Sequence, residues 1–259
     1  MIANYHTHTF RCGHAEGNER DYAEQAEKAG LRILGMADHT PYDFFDIGPR
    51  NRPMRMTPEE LSGYADSVRS LAEEYKGRLE ILLGVEAEYY PKYFPRLVEL
   101  LRANGVQYLI LGQHFLGNEV GDQYCGIPCP DAAALGRYVD QSIEAIETGV
   151  FTYFAHPDLF RFTGEDEAYS REMRRLCRAA RQAELPLEIN LLGIRENRHY
   201  PDPRFWRIAA EEGNTAILGC DAHQPQWVTD PQSEEKALKM AATLGLRVLT
   251  EAPIRSLSP

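Results

Sequence analysis

The chain has little cysteine, and none of it in a pattern that ties a fold together. Its five cysteines, Cys12, Cys125, Cys129, Cys177 and Cys220, are odd in number and scattered. That excludes a disulfide framework, and the absence of any C-x-x-C pair excludes the usual thiolate zinc site. No apolar run approaches the roughly 18 residues that a membrane-spanning helix needs. The N-terminus lacks a basic stretch followed by an apolar one, so no secretory signal is read there. Positive charge is scarce too: 28 Lys and Arg stand against 39 Asp and Glu, a formal net charge of −11. Nonspecific nucleic-acid binding needs the opposite balance on at least one face. These absences predict a reduced, cytoplasmic protein that engages neither membrane nor nucleic acid. Repeats, low-complexity tracts and linkers are also missing. At 259 residues the whole chain, 1–259, is expected to form a single domain, as α/β barrels of this size routinely do.

Histidine is present in ordered clusters. Seven of the eight histidines fall in short motifs: Tyr5-His6-Thr7-His8, Cys12-Gly13-His14-Ala15, Asp38-His39, Gly112-Gln113-His114, Ala155-His156-Pro157-Asp158 and Cys220-Asp221-Ala222-His223. Only His199 stands apart. Neutral imidazole is the commonest protein ligand for zinc and its neighbours, so the clusters suggest a multinuclear metal site.

Their placement agrees with that reading. Near-continuous apolar runs predict strands over Ile2–His6, Leu31–Ala37, Leu79–Val85, Tyr108–Gly112, Phe151–Ala155, Leu187–Leu191 and Ala216–Cys220, with a weaker eighth at Leu246–Thr250. Such runs suit strands covered on both faces. Helix signals alternate with them. Thr57-Pro58-Glu59-Glu60 combines an N-cap, a proline at N1 and a capping-box glutamate, and its helix is expected to end by Gly77. Asn18 precedes a helix Glu19–Ala29, with Gly30 to close it, and Asp202-Pro203 repeats the cap-and-proline pattern. This alternation predicts a (β/α) barrel. His6/His8, His39, Glu86, His114, His156 and Asp221/His223 then all lie at or just past the C-terminal ends of strands, the rim where barrel active sites sit.

Spacing adds detail. His6 and His8, Glu86 and Glu88, and Asp221 and His223 are each i, i+2, so each pair shares one face of an extended strand. Asp38 and His39 are adjacent, and only one of them can point inward. A carboxylate bridges two cations where imidazole cannot, so a cluster of this kind needs a Glu or Asp at its centre.

The order H-x-H, H, D-H, G-x-E-x-E, Q-H, A-H-P-D, D-A-H resembles the PHP (polymerase and histidinol phosphatase) superfamily. The stretches Tyr5-His6-Thr7-His8-Thr9 through Cys12-Gly13-His14-Ala15, Ala37-Asp38-His39-Thr40-Pro41 and Leu187-Glu188-Ile189-Asn190-Leu191-Leu192-Gly193-Ile194-Arg195 resemble its histidinol-phosphatase branch. The resemblance covers nearly the whole chain. It implies a distorted, TIM-like (β/α)7-type barrel with three divalent ions, zinc, manganese or iron, at the C-terminal rim. His6, His8, Glu86 and Asp221 would hold the first ion. His14, His39 and His223 would hold the second. Glu86, His114 and His156 would hold the third, with Glu86 bridging. The implied reaction is hydrolysis of L-histidinol phosphate to L-histidinol and phosphate, a step of histidine biosynthesis, by in-line attack of a metal-bridging hydroxide. Glu86, Asp221 and Arg195 form the implied catalytic set. Arg161 and Arg195 occupy positions that resemble the family's phosphate-contacting arginines, a role suited to bidentate guanidinium. Asn190 and His199 are further candidate substrate contacts. Cys220 departs from the Ser or Gly expected before Asp-Ala-His, but it keeps a small residue there.

The loop Thr40–Met56 carries Tyr42, Phe44, Phe45, Arg50, Arg52 and Arg55 and can fold over the rim. Its arginines read first as solvated charges, and Glu88 reads as a residue that orients a ligand. Three other functions fit the same motifs: a related phosphoesterase with a different small substrate, a catalytically silent metal-binding barrel, and a proofreading nuclease module, which the acidic net charge disfavours. The complete ligand set speaks against the second.

Overall fold

The computed structural model describes residues 1–42, 54–119 and 123–257. Phe44, Phe45, Arg50 and Arg52 of the expected rim loop lie outside the described residues. Eight parallel strands follow one another across a single sheet in chain order: β1 (Ala3–Asn4), β2 (Ile33–His39), β3 (Glu80–Ala87), β4 (Tyr108–Leu111), β5 (Phe151–Phe154), β6 (Leu187–Asn190), β7 (Thr215–Gly219) and β8 (Arg247–Leu249). Helices fill the crossovers: α1 (Glu19–Lys28), α2 (Pro58–Glu74), α3 (Phe94–Ala103), α4 (Ala132–Glu147), α5 (Asp166–Gln182), α6 (Leu191–Arg195) with α7 (Pro203–Glu211), and α8 (Pro231–Leu244). Among the described residues no helix is long and apolar enough to cross a membrane.

Local chemistry sets these boundaries. Asn18 and Thr57 each form a capping box, with Asp21 and Glu60 as the reciprocal acceptors. Asp202 and Asp230 cap α7 and α8 ahead of prolines that need no hydrogen bond at N1. α2 stops at Glu74, a little short of the glycine expected to end it.

The first strand is shorter than its apolar run because Asn4 turns its side chain into the ladder. Its carbonyl oxygen accepts from the backbone of His6 and Cys220 at 3.1 Å each. Its amide donates to Val228 O at 3.0 Å. This carboxamide joins β1 to the chain beyond β7. Just above it, Thr7 pairs in parallel with Ala222, and His8 N donates to Ala222 O at 2.9 Å. The rim therefore meets between the first and seventh strands. β8 pairs only with the lower half of β7, from Thr215 to Ile217. The seven-strand expectation describes the rim, and the eighth strand is an addition at the base.

Two cores result. Tyr5, Tyr108, Tyr153, Ile110, Ala37 and Ala155 fill the inside of the sheet's curl, and a larger cluster lies between strands and helices. Tyr108 donates to Tyr5 O at 2.8 Å across the curl. The inner core forms a solid floor beneath the rim, so the ligand-type side chains above it rest on packed rings.

Candidate metal centre

His6 and His8 leave the end of β1 on one face, as their spacing requires. His6 Nε2 lies 3.6 Å from Glu86 Oε2 and 3.5 Å from Asp221 Oδ1. His8 Nε2 lies 3.5 Å and 3.2 Å from the same two oxygens. His39, the last residue of β2, places Nδ1 3.1 Å from Glu86 Oε2. From the other side, His156 Nε2 and His114 Nε2 approach Glu86 Oε1 at 2.9 Å and 3.6 Å. Glu86 thus turns one oxygen toward His6, His8 and His39 and the other toward His114 and His156. Gly112 leaves the space for it, since a Cβ there would overlap the carboxylate. Asp221 Oδ1 also faces His223 Nδ1 at 3.3 Å. His14 and His223 bring their Nε2 atoms to 3.0 Å of each other. All nine residues expected as ligands therefore converge on one rim.

The donor set suits cations. Donor atoms of His6, His8 and Glu86 lie within 4.8 Å of one another, as do those of His8, His39 and His223, and those of His6, His156 and Asp221. Among the described residues, the buried Nε2 atoms of His6 and His8 have no hydrogen-bond partner. An orphaned buried polar atom costs about 1–3 kcal/mol unless something satisfies it, and a coordinated cation does so. Burial pushes Glu86 and Asp221 up, but the surrounding imidazoles outweigh it and hold both well below the usual carboxylate range. Burial takes His39 well below its ordinary value and His223 down to about 3, whereas at His6, His8 and His114 the facing carboxylates outweigh burial and raise the imidazole, to about 9 for His8, so a cation there displaces a proton. Anionic carboxylates and neutral rings are the states that ligate.

Buried carboxylates stand behind the rings. Glu188 Oε2 lies 2.8 Å from His6 Nδ1, and Glu88 Oε1 lies 2.8 Å from His114 Nδ1. Asp38 turns away from the centre, accepts from Thr9 N at 3.1 Å and lies 3.7 Å from His8 Nδ1. It is His39 of the adjacent pair that points inward. Such partners fix the tautomer and orientation of a ligating imidazole. Two of the expected ligands, His156 (φ 33°) and Asp221 (φ 47°), have left-handed backbone. For side-chain-bearing residues that conformation is strained, and strain of this kind gathers at functional sites.

The centre opens on a cavity of about 570 Å³, whose other walls include Met54, Arg55, Phe115, Tyr124, Leu159, Leu192, Glu196, Arg198 and Tyr200. Several expected substrate contacts are placed elsewhere. Arg195 ends the short helix α6, donates to Asp230 Oδ2 at 3.2 Å and stacks on Trp227 with its guanidinium carbon 4.5 Å from the ring centre. It does not line the cavity. Arg161 is exposed and is not part of the wall either. His199 faces Leu159 O through Nε2 at 2.7 Å. Asn190 works from beneath: its amide donates to Asp221 Oδ2 at 3.1 Å and Glu188 Oε1 at 2.7 Å, so it braces an expected ligand. Arg55 is no solvated charge. It is buried, pairs with Glu119, lies 3.4 Å from Glu88 and donates to Thr40 O at 2.9 Å.

Arg198 and Tyr200 line the cavity without any sequence motif to mark them, and Glu188 stands behind His6. Glu188 carried a signal: with Asn190 it places two polar side chains on one face of an otherwise apolar strand.

Comparison with known proteins follows the same lines. The PHP domain model matches residues 4–191. A Deinococcus radiodurans protein named "Probable histidinol-phosphatase" is 33% identical over 235 residues, 86% of this chain and 87% of that one. The Bacillus subtilis protein named histidinol-phosphatase is 32% identical over 117 residues, 43% of each chain. Among solved structures, the histidinol phosphate phosphatase of Lactococcus lactis, complexed with zinc, L-histidinol and phosphate, superposes with a TM-score of 0.74 at 19% identity, covering 96% of this chain and 95% of that one.

Proposed function

The chain belongs to the PHP domain family, and on that premise we propose that it is a metal-dependent histidinol-phosphatase, with residues 1–259 acting as a single PHP domain. It hydrolyses L-histidinol phosphate to L-histidinol and phosphate. The relative that is 33% identical over most of both chains bears that activity in its name, and the fold matches an enzyme solved with the two products. The observation that carries the reading is Glu86, whose two carboxylate oxygens face two separate groups of imidazoles.

His6, His8, Glu86 and Asp221 would hold one divalent ion, His14, His39 and His223 a second, and Glu86, His114 and His156 a third. Nitrogen and oxygen donors of this kind serve zinc, manganese and iron alike. When bound, such ions supply positive charge to phosphoryl oxygens and lower the pKa of a coordinated water.

The chain's own residues do the rest. Glu188, Glu88 and Asp38 hold ligand rings in one orientation, and Asn190 steadies Asp221. Burial of His6, His8, His39 and His156 strengthens each electrostatic contact made there. Arg198 pairs with Glu196 and donates to Tyr200, but unlike Arg195 it lines the cavity, so it is the guanidinium placed to meet the phosphate. Phe115, Tyr124, Leu159 and Leu192 offer an aromatic and aliphatic wall to the organic part of the substrate. Glu196, also on the wall, suits its ammonium group.

A panel of phosphomonoesters tests the substrate. The expected result is a kcat/KM for histidinol phosphate well above that for any generic aryl or alkyl phosphate. Equal or lower efficiency would assign the site to another small phosphoester.

A further inference from the structure

Tyr200 belongs to no motif that pointed to chemistry, yet it lines the cavity beside the metal ligands. It is only 3% exposed, and its ring centre lies 6.0 Å from that of His156. Two neighbours fix its place. Gly193 of α6 packs so closely on its ring and carbonyl that a Cβ would overlap both. Arg198 donates from Nη1 to the Tyr200 hydroxyl at 2.9 Å, while Glu196 holds the same guanidinium through Nε at 2.8 Å.

A guanidinium can only donate. The phenol oxygen is therefore the acceptor in that bond, and its own O–H is left to donate elsewhere. Tyr200 stands at a boundary of the cavity wall, beside the His156 ring and sharing the lining with Asp221 on one hand and with Tyr124 and Leu159 on the other. A phosphoester whose phosphate faces the rim and whose carbon skeleton faces Tyr124, Leu159 and Leu192 places its bridging oxygen at that boundary.

We propose that Tyr200 donates a hydrogen bond to the leaving-group oxygen of the phosphoester, with Arg198 holding the hydroxyl in register. The assignment rests on the phosphomonoesterase reading above. In the step, water oxygen forms the new P–O bond. The P–O bond to the leaving oxygen breaks, and its electron pair stays on that oxygen. A proton from the water completes the alcohol, and Tyr200 begins and ends the step protonated. An alkoxide leaving group concentrates charge on one oxygen and gains much from such a donor. An aryloxide, which spreads charge into its ring, gains little.

The test compares wild type with Tyr200→Phe on histidinol phosphate, simple alkyl phosphates and para-nitrophenyl phosphate, with metal content measured on the same samples. The expected loss in kcat/KM is about 10- to 100-fold on the alkyl esters and about threefold or less on the aryl ester, at unchanged metal content. The slope of rate against leaving-group pKa then becomes steeper. An equal loss on every ester, or no loss on any, overturns the assignment. Should Tyr200→Phe lose metal or fail to fold, fluorotyrosine in place of Tyr200 gives the second reading. It keeps the ring and the Arg198 contact and makes the phenol more acidic, so a rate change that depends on leaving-group pKa is expected, and a uniform change or none overturns the proposal. If wild type hydrolyses alkyl phosphates but not histidinol phosphate, the substrate assignment fails while the slope still reports on Tyr200. If it hydrolyses no phosphomonoester, both fail.

Discussion

His6 Nδ1 lies 2.8 Å from Glu188 Oε2, at the back of a ring whose Nε2 faces Glu86 and Asp221. Both side chains are fully buried. Glu188 also accepts from Asn190 at 2.7 Å, and Gly219 makes room for it, since a Cβ there would overlap the carboxylate. This geometry predicts that Glu188 orients the His6 ring and is not itself a ligand. Glu188→Gln puts an amide N–H against either the His6 N–H or the Asn190 amide, two donors face to face. The expected outcome is a metal affinity lowered by about 10- to 100-fold with the fold retained. Titration of the apo variant with zinc checks this, and a wild-type affinity would leave Glu188 without that role.

Arg198, and not Arg195 as its sequence position suggests, lines the cavity. Arg195 is held by Asp230, the N-cap of α8, and by Trp227. Arg195→Met removes a charged hydrogen bond at a largely buried pair. The expected cost is about 1.5–3 kcal/mol of stability, seen as a lower Tm, with KM for the phosphoester unchanged. Arg198→Met is expected to do the opposite: a kcat/KM lower by about 10- to 100-fold with little change in Tm. Steady-state kinetics and thermal melts on the two variants separate these outcomes. A KM defect confined to Arg195→Met would restore the first assignment.

His199 acts through its fold environment. Burial holds its imidazole below the ordinary value, and its Nε2 faces Leu159 O. A folded-state pKa below the unfolded one favours the neutral ring in the fold. Its stabilisation is present above the unfolded value of about 6.5 and fades as pH falls through the folded value. Between about pH 7.5 and pH 5, wild type is therefore expected to lose more Tm than His199→Gln, which keeps a donor for Leu159. Melts of both proteins at saturating metal check this; parallel profiles would remove the contribution.

The strands and their rim were legible because the chemistry is written in the sequence itself. Apolar runs ending in His39, Glu86 and Asp221 place those side chains by strand geometry alone, and i, i+2 spacing put His6 and His8 on one face. What the sequence hid lies after β6. There Asn190 caps a helix of only five residues, Leu191–Arg195, too short to show a period. That single turn carries Arg195 outward to Asp230 and leaves Arg198 and Tyr200 at the cavity. Arg55 was hidden for a related reason: its partners, Glu88 and Glu119, are 33 and 64 residues away in the chain, and no local pattern joins them.

The central claim is that Glu86 joins the ligand groups of a working phosphatase centre. Metal content per chain, measured by elemental analysis for wild type and Glu86→Gln beside histidinol phosphate turnover, tests it most directly. An amide supplies one good ligand oxygen where the carboxylate supplies two. The account predicts that the variant binds fewer ions per chain than wild type and loses at least about 100-fold in kcat/KM. Equal metal content with near wild-type turnover would contradict it.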